Sequence, residues 1–153
     1  MGEYAVRRAP ARMAIFGLGS CVAVFTWEPG MKIGALAHVL LPAPLPDQPR
    51  GPAGKYADTA IAAILGGTLE IGGRRERMVA KVVGGAHMFG PSPTPDRETL
   101  GERNLRAVLE GLRREGIELA GMDIGGSYGR TLVADTSSGI VRITSLKREP
   151  KEI

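Results

Sequence analysis

Cys21 is the one cysteine of this 153-residue chain, and His38 and His87 are its two histidines. A thiol and an imidazole brought together can carry out nucleophilic catalysis. The thiolate attacks, while the imidazole takes the thiol proton and later delivers it to a leaving group. The residues ahead of the cysteine, Gly17-Leu18-Gly19-Ser20, suit the same chemistry. Small side chains let a substrate carbonyl approach, and a turn at Gly19 and Ser20 aims backbone N–H groups at the oxyanion that attack creates. Blander readings compete with this one. A cysteine in an apolar strand commonly packs as a small hydrophobe, and a histidine between Ala37 and Val39 is commonly a satisfied core residue. His87, beside Gly84-Gly85, reads as a loop histidine.

Whether the pair meets depends on the elements that carry it. Cys21 to Trp27 and Ile33 to Leu41 are strand-like runs around the turn residues Glu28-Pro29-Gly30-Met31. With Pro29 and Gly30 as the two central residues, the ladder sets Cys21 opposite His38. Directly opposed side chains stand ~4.5–5.5 Å apart at Cβ. A loop longer by one residue turns one of the two to the other face.

The remaining pattern alternates. Arg12 to Phe16 reads as a strand ending at the Gly17–Gly19 turn, and Pro42 to Pro52 as a proline-rich surface loop. Lys55 to Leu65 has helical spacing, with Gly66-Gly67 blurring its end. Met78 to Val83 is a strand and Pro91 to Pro95 a loop. Leu100 to Glu115 is the clearest helix, with Leu105, Val108, Leu109 and Leu112 on one face and Gly116 as its stop. Ile117 to Ile124 follows as a strand, 125–129 as a glycine-rich loop, and Thr131 to Leu146 as a hairpin turning at Ser137-Ser138-Gly139. This predicts one α/β (α+β) domain over residues 1–146, with a mixed sheet or two packed sheets flanked by two helices, and a loose tail over 147–153.

Composition narrows the classes of function. The formal net charge of +4 favours an acidic partner surface. The basic residues sit in scattered pairs with acids nearby, and aromatics are only 5%, a poor composition for stacking nucleic-acid bases. One cysteine and two histidines make a poor metal set, so neither metal nor cofactor is expected. Gly17-x-Gly19 lacks the further glycine or Lys-Ser/Thr of a dinucleotide or phosphate loop. No apolar run approaches the ~20 residues that cross a bilayer. Arg7-Arg8 followed by the apolar stretch from Met13 to Phe25 has the look of a signal peptide, and Leu18-Gly19-Ser20-Cys21 that of a lipoprotein box. Glycines interrupt the stretch, however, and strand-like sequence continues beyond Cys21, so a cytoplasmic protein is expected.

Two blocks, Gly17-Leu18-Gly19-Ser20-Cys21-Val22 and Gly34-Ala35-Leu36-Ala37-His38-Val39-Leu40-Leu41-Pro42, resemble the signature of the CheD family of chemoreceptor glutamine deamidases. Lys55-Tyr56-Ala57-Asp58-Thr59-Ala60, Gly84-Gly85-Ala86-His87-Met88-Phe89, Gly101-Glu102-Arg103-Asn104 and Asp123-Ile124-Gly125-Gly126 continue the resemblance in order. It implies that Cys21 is the nucleophile and His38 the base in hydrolysis of a receptor glutamine side chain to glutamate, with ammonia released. It further implies chemoreceptor cytoplasmic helices and a CheC-type phosphatase as partners. Lys55, Tyr56 and Asp58 match a block expected near the cleft, with Tyr56 packing on the substrate stem; alternatively they start a helix, Asp58 serving its N-terminal dipole. Asn104 and Arg130 are expected to hold helix and loop. Where the family usually has a threonine ahead of its cysteine, this chain has Ile15, which cannot orient an imidazole by hydrogen bonding. That departure favours a second reading, a catalytically weak adaptor that binds receptors or CheC. A lipid-anchored protein modified at Cys21 is the third.

Overall fold

Hydrophobic residues at consecutive positions of Val22–Glu28 (β3) and Ile33–Val39 (β4) require burial on both faces. The computed structural model, which describes residues 2–45, 49, 51–88 and 98–153, supplies a layer on each side. Both strands lie inside a five-stranded sheet ordered β1-β4-β3-β5-β6, with β1 at Tyr4–Arg8, β5 at Val79–Gly84 and β6 at Glu118–Ile124. All neighbours are antiparallel except β5 and β6, which are parallel. The helix α2 (Leu100–Arg114) lies in the crossover that such a parallel pair needs.

Val22, Val24, Ala35, Ala37 and Val39 face the helices α1 (Ala57–Glu70) and α2, packing on Ile61, Ile64, Val108 and Leu112. The opposite face carries Ala23, Phe25 and Leu36. It meets a second, four-stranded antiparallel sheet ordered β2-β7-β8-β9: Arg12–Leu18, Arg130–Asp135, Val141–Ser145 and Arg148–Glu152. The expected mixed sheets with two helices are therefore arranged as helices, sheet, sheet.

Three local expectations are corrected. The β3–β4 hairpin pairs Glu28 with Ile33, so its loop is Pro29 to Lys32 and not Pro29-Gly30 alone. The buried Glu28 carboxylate accepts the Met31 N–H at 2.6 Å, and Lys32 takes a left-handed φ of 51°. Ala23, and not Cys21, consequently stands opposite His38. Second, α1 runs through Gly66-Gly67. A Cβ at Gly67 would sit 2.8 Å from Val6, so the glycine lets the helix close onto β1 where a larger residue would hold it off. Third, within 147–153, read as a loose tail, Arg148–Glu152 forms β9 against β8. The expected Pro91–Pro95 loop lies outside the described residues. Among the described residues, no helix is long and apolar enough to cross a membrane.

Candidate active site

At the end of the five-stranded sheet where β3 begins and β5 and β6 finish, three glycine-containing segments converge: 17–21, 84–88 and 125–129. Gly125 N–H donates to the Gly84 carbonyl at 2.9 Å, and His87 N–H to the Gly126 carbonyl at 2.8 Å. The cysteine segment is fastened to this frame by three successive carbonyls. The Gly19 oxygen accepts from Ala86 N–H at 3.0 Å and the Cys21 oxygen from Gly85 N–H at 2.8 Å. Between them, the Ser20 oxygen accepts from the side-chain amide of Asn104 at 3.0 Å. Gly84 holds a φ of 114°, and a Cβ there would collide with the Cys21 carbonyl oxygen. Only glycine allows that approach.

The register correction changes the geometry of the pair without separating it. Moving the pairing by two residues keeps every side chain on its face. Cys21 therefore remains on the His38 side of the sheet, and it packs against the apolar cluster between the two sheets. Continuing the ladder by one residue makes the two diagonal neighbours. Diagonal positions lie roughly 7–8 Å apart, within reach of a long or aromatic side chain. Burial pushes the Cys21 thiol above its ordinary pKa, with its own backbone N–H opposing the shift. Burial likewise holds His38 below the ordinary imidazole value. Both effects favour the uncharged forms, a thiol and a neutral imidazole able to accept a proton.

His38 borders a groove of about 340 Å³ shared with Tyr4, Met13, Ile15 and Phe16. Among the described residues its buried Nε2 has no hydrogen-bond partner. Ile15 is buried beside it and offers no acceptor. Phe16, at 76% exposure, forms part of the rim.

Cys21 does not line this groove, and neither do the other sequence-derived residues. Tyr56 is 1% exposed, so its ring belongs to the interior and is closed to a substrate stem. Its neighbour Lys55 accepts the Leu40 and Leu41 N–H groups on its carbonyl at 2.9 and 3.1 Å, fastening the chain beyond His38. Asp58 is exposed in the first turn of α1, the dipole-favourable position. Arg130 is buried, pairs with Asp123 at 3.3 Å and stacks on Tyr128, as expected of a loop anchor. Asn104 does more than hold its helix. The same amide nitrogen that binds Ser20 also donates to the Leu40 carbonyl at 2.9 Å. Its signal in the sequence was its place one turn before Val108 and two before Leu112, a polar residue on the buried stripe of α2.

The site thus belongs to a class: an α+β domain with a lone thiol and an imidazole on one sheet face, the thiol on a loop held by backbone hydrogen bonds. Residues 40–145 match the family described as CheD chemotactic sensory transduction. The chain is 38% identical over 154 residues to a probable chemoreceptor glutamine deamidase CheD 2 of Geobacter metallireducens, covering all of this chain and 95% of that protein. It is 39% identical over 157 residues to a probable chemoreceptor glutamine deamidase CheD of Moorella thermoacetica, covering 100% and 92%. A relative of the same description from Methanococcus vannielii is 38% identical over 143 residues, covering 94% and 90%. This protein belongs to the CheD family. The family match begins at Leu40, beyond both Cys21 and His38, whereas the likeness to the Geobacter and Moorella proteins spans them.

Proposed function

We propose that this chain is a cytoplasmic protein-glutamine deamidase that converts glutamines of chemoreceptor helices to glutamates, with Cys21 as nucleophile and His38 as general base. The observation that carries the reading is Cys21 on the His38 face, at a loop whose carbonyls at positions 19, 20 and 21 are tied to the protein frame. His38 takes the Sγ proton as sulfur attacks the carboxamide carbon, and the carbonyl electron pair moves to oxygen. Collapse of that tetrahedral species expels ammonia, which carries the proton returned by His38, and leaves a thioester. Water, deprotonated by His38, attacks the thioester and releases glutamate with the thiol restored. Gly19 and Ser20 shape the turn whose N–H groups stabilise the oxyanion. Lys55, Tyr56 and Asp58 support the strand end beyond His38, with Asp58 the member of the three exposed for a partner. Each turnover adds a negative charge to the receptor. A CheC-type phosphatase is a second partner of the same surface.

A specific observation favours the rival reading, an adaptor with little chemistry: among the described residues the His38 Nε2 has no hydrogen-bond partner, and Ile15 supplies none. Peptide mass spectrometry of a chemoreceptor cytoplasmic fragment, incubated with wild type or Cys21→Ala, separates the two. We expect the mass gain of amide-to-acid exchange with wild type and none with Cys21→Ala. No gain with wild type, on a fragment that a threonine-containing relative does deamidate, would leave the adaptor.

A further inference from the structure

We propose that Asn104 is a positioning residue for the oxyanion donor: by holding the Ser20 carbonyl it turns the Cys21 N–H toward the reacting carbonyl. This rests on the deamidase reading and adds to it a residue that touches neither sulfur nor imidazole. In a trans peptide, C=O and N–H point in opposite directions from one rigid plane. The Ser20 oxygen and the Cys21 N–H share such a plane. Asn104 is fully buried and draws the oxygen into the protein at 3.0 Å, so the N–H points away from the frame. Ala86 does the same for the preceding plane by binding the Gly19 oxygen, which turns the Ser20 N–H outward. Among the described residues, neither the Ser20 nor the Cys21 N–H donates to a backbone or side-chain acceptor of another residue. Two adjacent, fixed donors that no other described residue engages, next to a nucleophile, are the arrangement that stabilises a tetrahedral oxyanion.

The chemistry of Asn104 explains why an amide stands there. Its two protons serve two carbonyls, Ser20 O on the cysteine segment and Leu40 O just past the histidine strand. Its own Oδ1 is buried and has no partner among the described residues. Leaving a buried acceptor unmade costs about 1–3 kcal/mol, a cost set against the orientation of both segments. Leucine has similar bulk and no donor; serine is too short to span both carbonyls.

The test uses Asn104→Leu and Asn104→Ala, with Val108→Ala as a control on the same helix face. Two rates are read on each folded protein: deamidation of a receptor fragment, as kcat and KM, and alkylation of Cys21 by iodoacetamide. Alkylation needs the thiolate but forms no oxyanion. We expect kcat to fall about 10²–10³-fold, the loss typical of one oxyanion donor, with KM and alkylation close to wild type and Val108→Ala close to wild type in both rates. Equal losses in deamidation and alkylation would mean that Asn104 merely supports the thiol, and unchanged kcat would mean that it orients nothing; either overturns the proposal. So would failure of both variants to fold, which would make the clamp purely structural. Wild type inactive on the receptor fragment would instead overturn the deamidase reading and this role with it, a pattern distinct from an active wild type with active variants.

Discussion

The two members of the proposed catalytic pair are held in opposite ways. Around Cys21, three successive carbonyls are bound by Ala86, Asn104 and Gly85, and a glycine at position 84 admits the close contact. Around His38, the backbone is fixed within β4, yet the ring borders an apolar groove and its buried nitrogen meets no hydrogen-bond partner among the described residues. The nucleophile's surroundings are thus built from main chain and one buried side chain, Asn104, and the base's from side chains alone. Main-chain anchoring depends on the whole fold and yields to few single substitutions. Ring orientation depends on what one neighbouring side chain can accept, so a single change can alter it.

The sharpest way to break the contrast is to remove the base. His38→Ala should lower kcat for deamidation by about 10²–10⁴-fold, the usual contribution of a positioned general base, while the melting temperature stays near wild type because, among the described residues, the ring has no hydrogen-bond partner. Retained activity would show that Cys21 works with another base, His87 being the first to examine.

On the cysteine side, Gly84→Ala places a methyl against the Cys21 carbonyl at a φ of 114°. The cost should be about 1–3 kcal/mol of stability, as for other strained backbone positions, read by thermal or urea unfolding. Loss of deamidation among molecules that remain folded is expected to accompany it. A neutral result would mean that the loop is looser than its hydrogen bonds indicate.

Ile15→Thr sharpens the histidine side. A hydroxyl beside the imidazole should contribute about 0.5–1.5 kcal/mol, a gain in kcat of about two- to tenfold. It should also favour the protonated ring and shift the acid limb of the pH–rate profile upward. In wild type, burial holds the His38 pKa down. The neutral base therefore persists below pH 6.5, and activity is lost only as pH falls through that lowered value. Stability follows the same sign: the unfolded chain protonates this histidine first, so the group's contribution is complete above its ordinary pKa and lost as pH falls through the folded one. An unshifted acid limb in Ile15→Thr would show that the hydroxyl does not reach the ring.

Much of this was legible in the sequence, and the failures have physical causes. Residues facing both layers made β3 and β4 readable as apolar runs, and α2 as an amphipathic period closed by Gly116. The hairpin register was off by two because the turn is set by the Glu28 carboxylate, a contact invisible to a rule about Pro-Gly. A slip of two spares the face, so Cys21 and His38 share a sheet face although they do not stand opposite each other. Strand β1 was missed and β9 was taken for tail because edge strands need no apolar alternation. Every residue of Arg148–Glu152 is exposed, and Pro150 is tolerated at an edge. Their pairing comes from the neighbouring strand, outside their own sequence.

The anchoring of the cysteine loop also sets the order in which the thiol becomes special. Cys21 is synthesised early, whereas its partners at 84–86 and 104 lie far downstream. A chain still emerging from the ribosome, or one opened by local unfolding at that sheet end, carries an ordinary cysteine with freely rotating peptide planes. The armed form exists only once distant segments have closed over it. On the proposed mechanism the reactivity of one atom therefore depends on completion of the whole sheet, and truncated or half-folded copies should leave glutamine untouched.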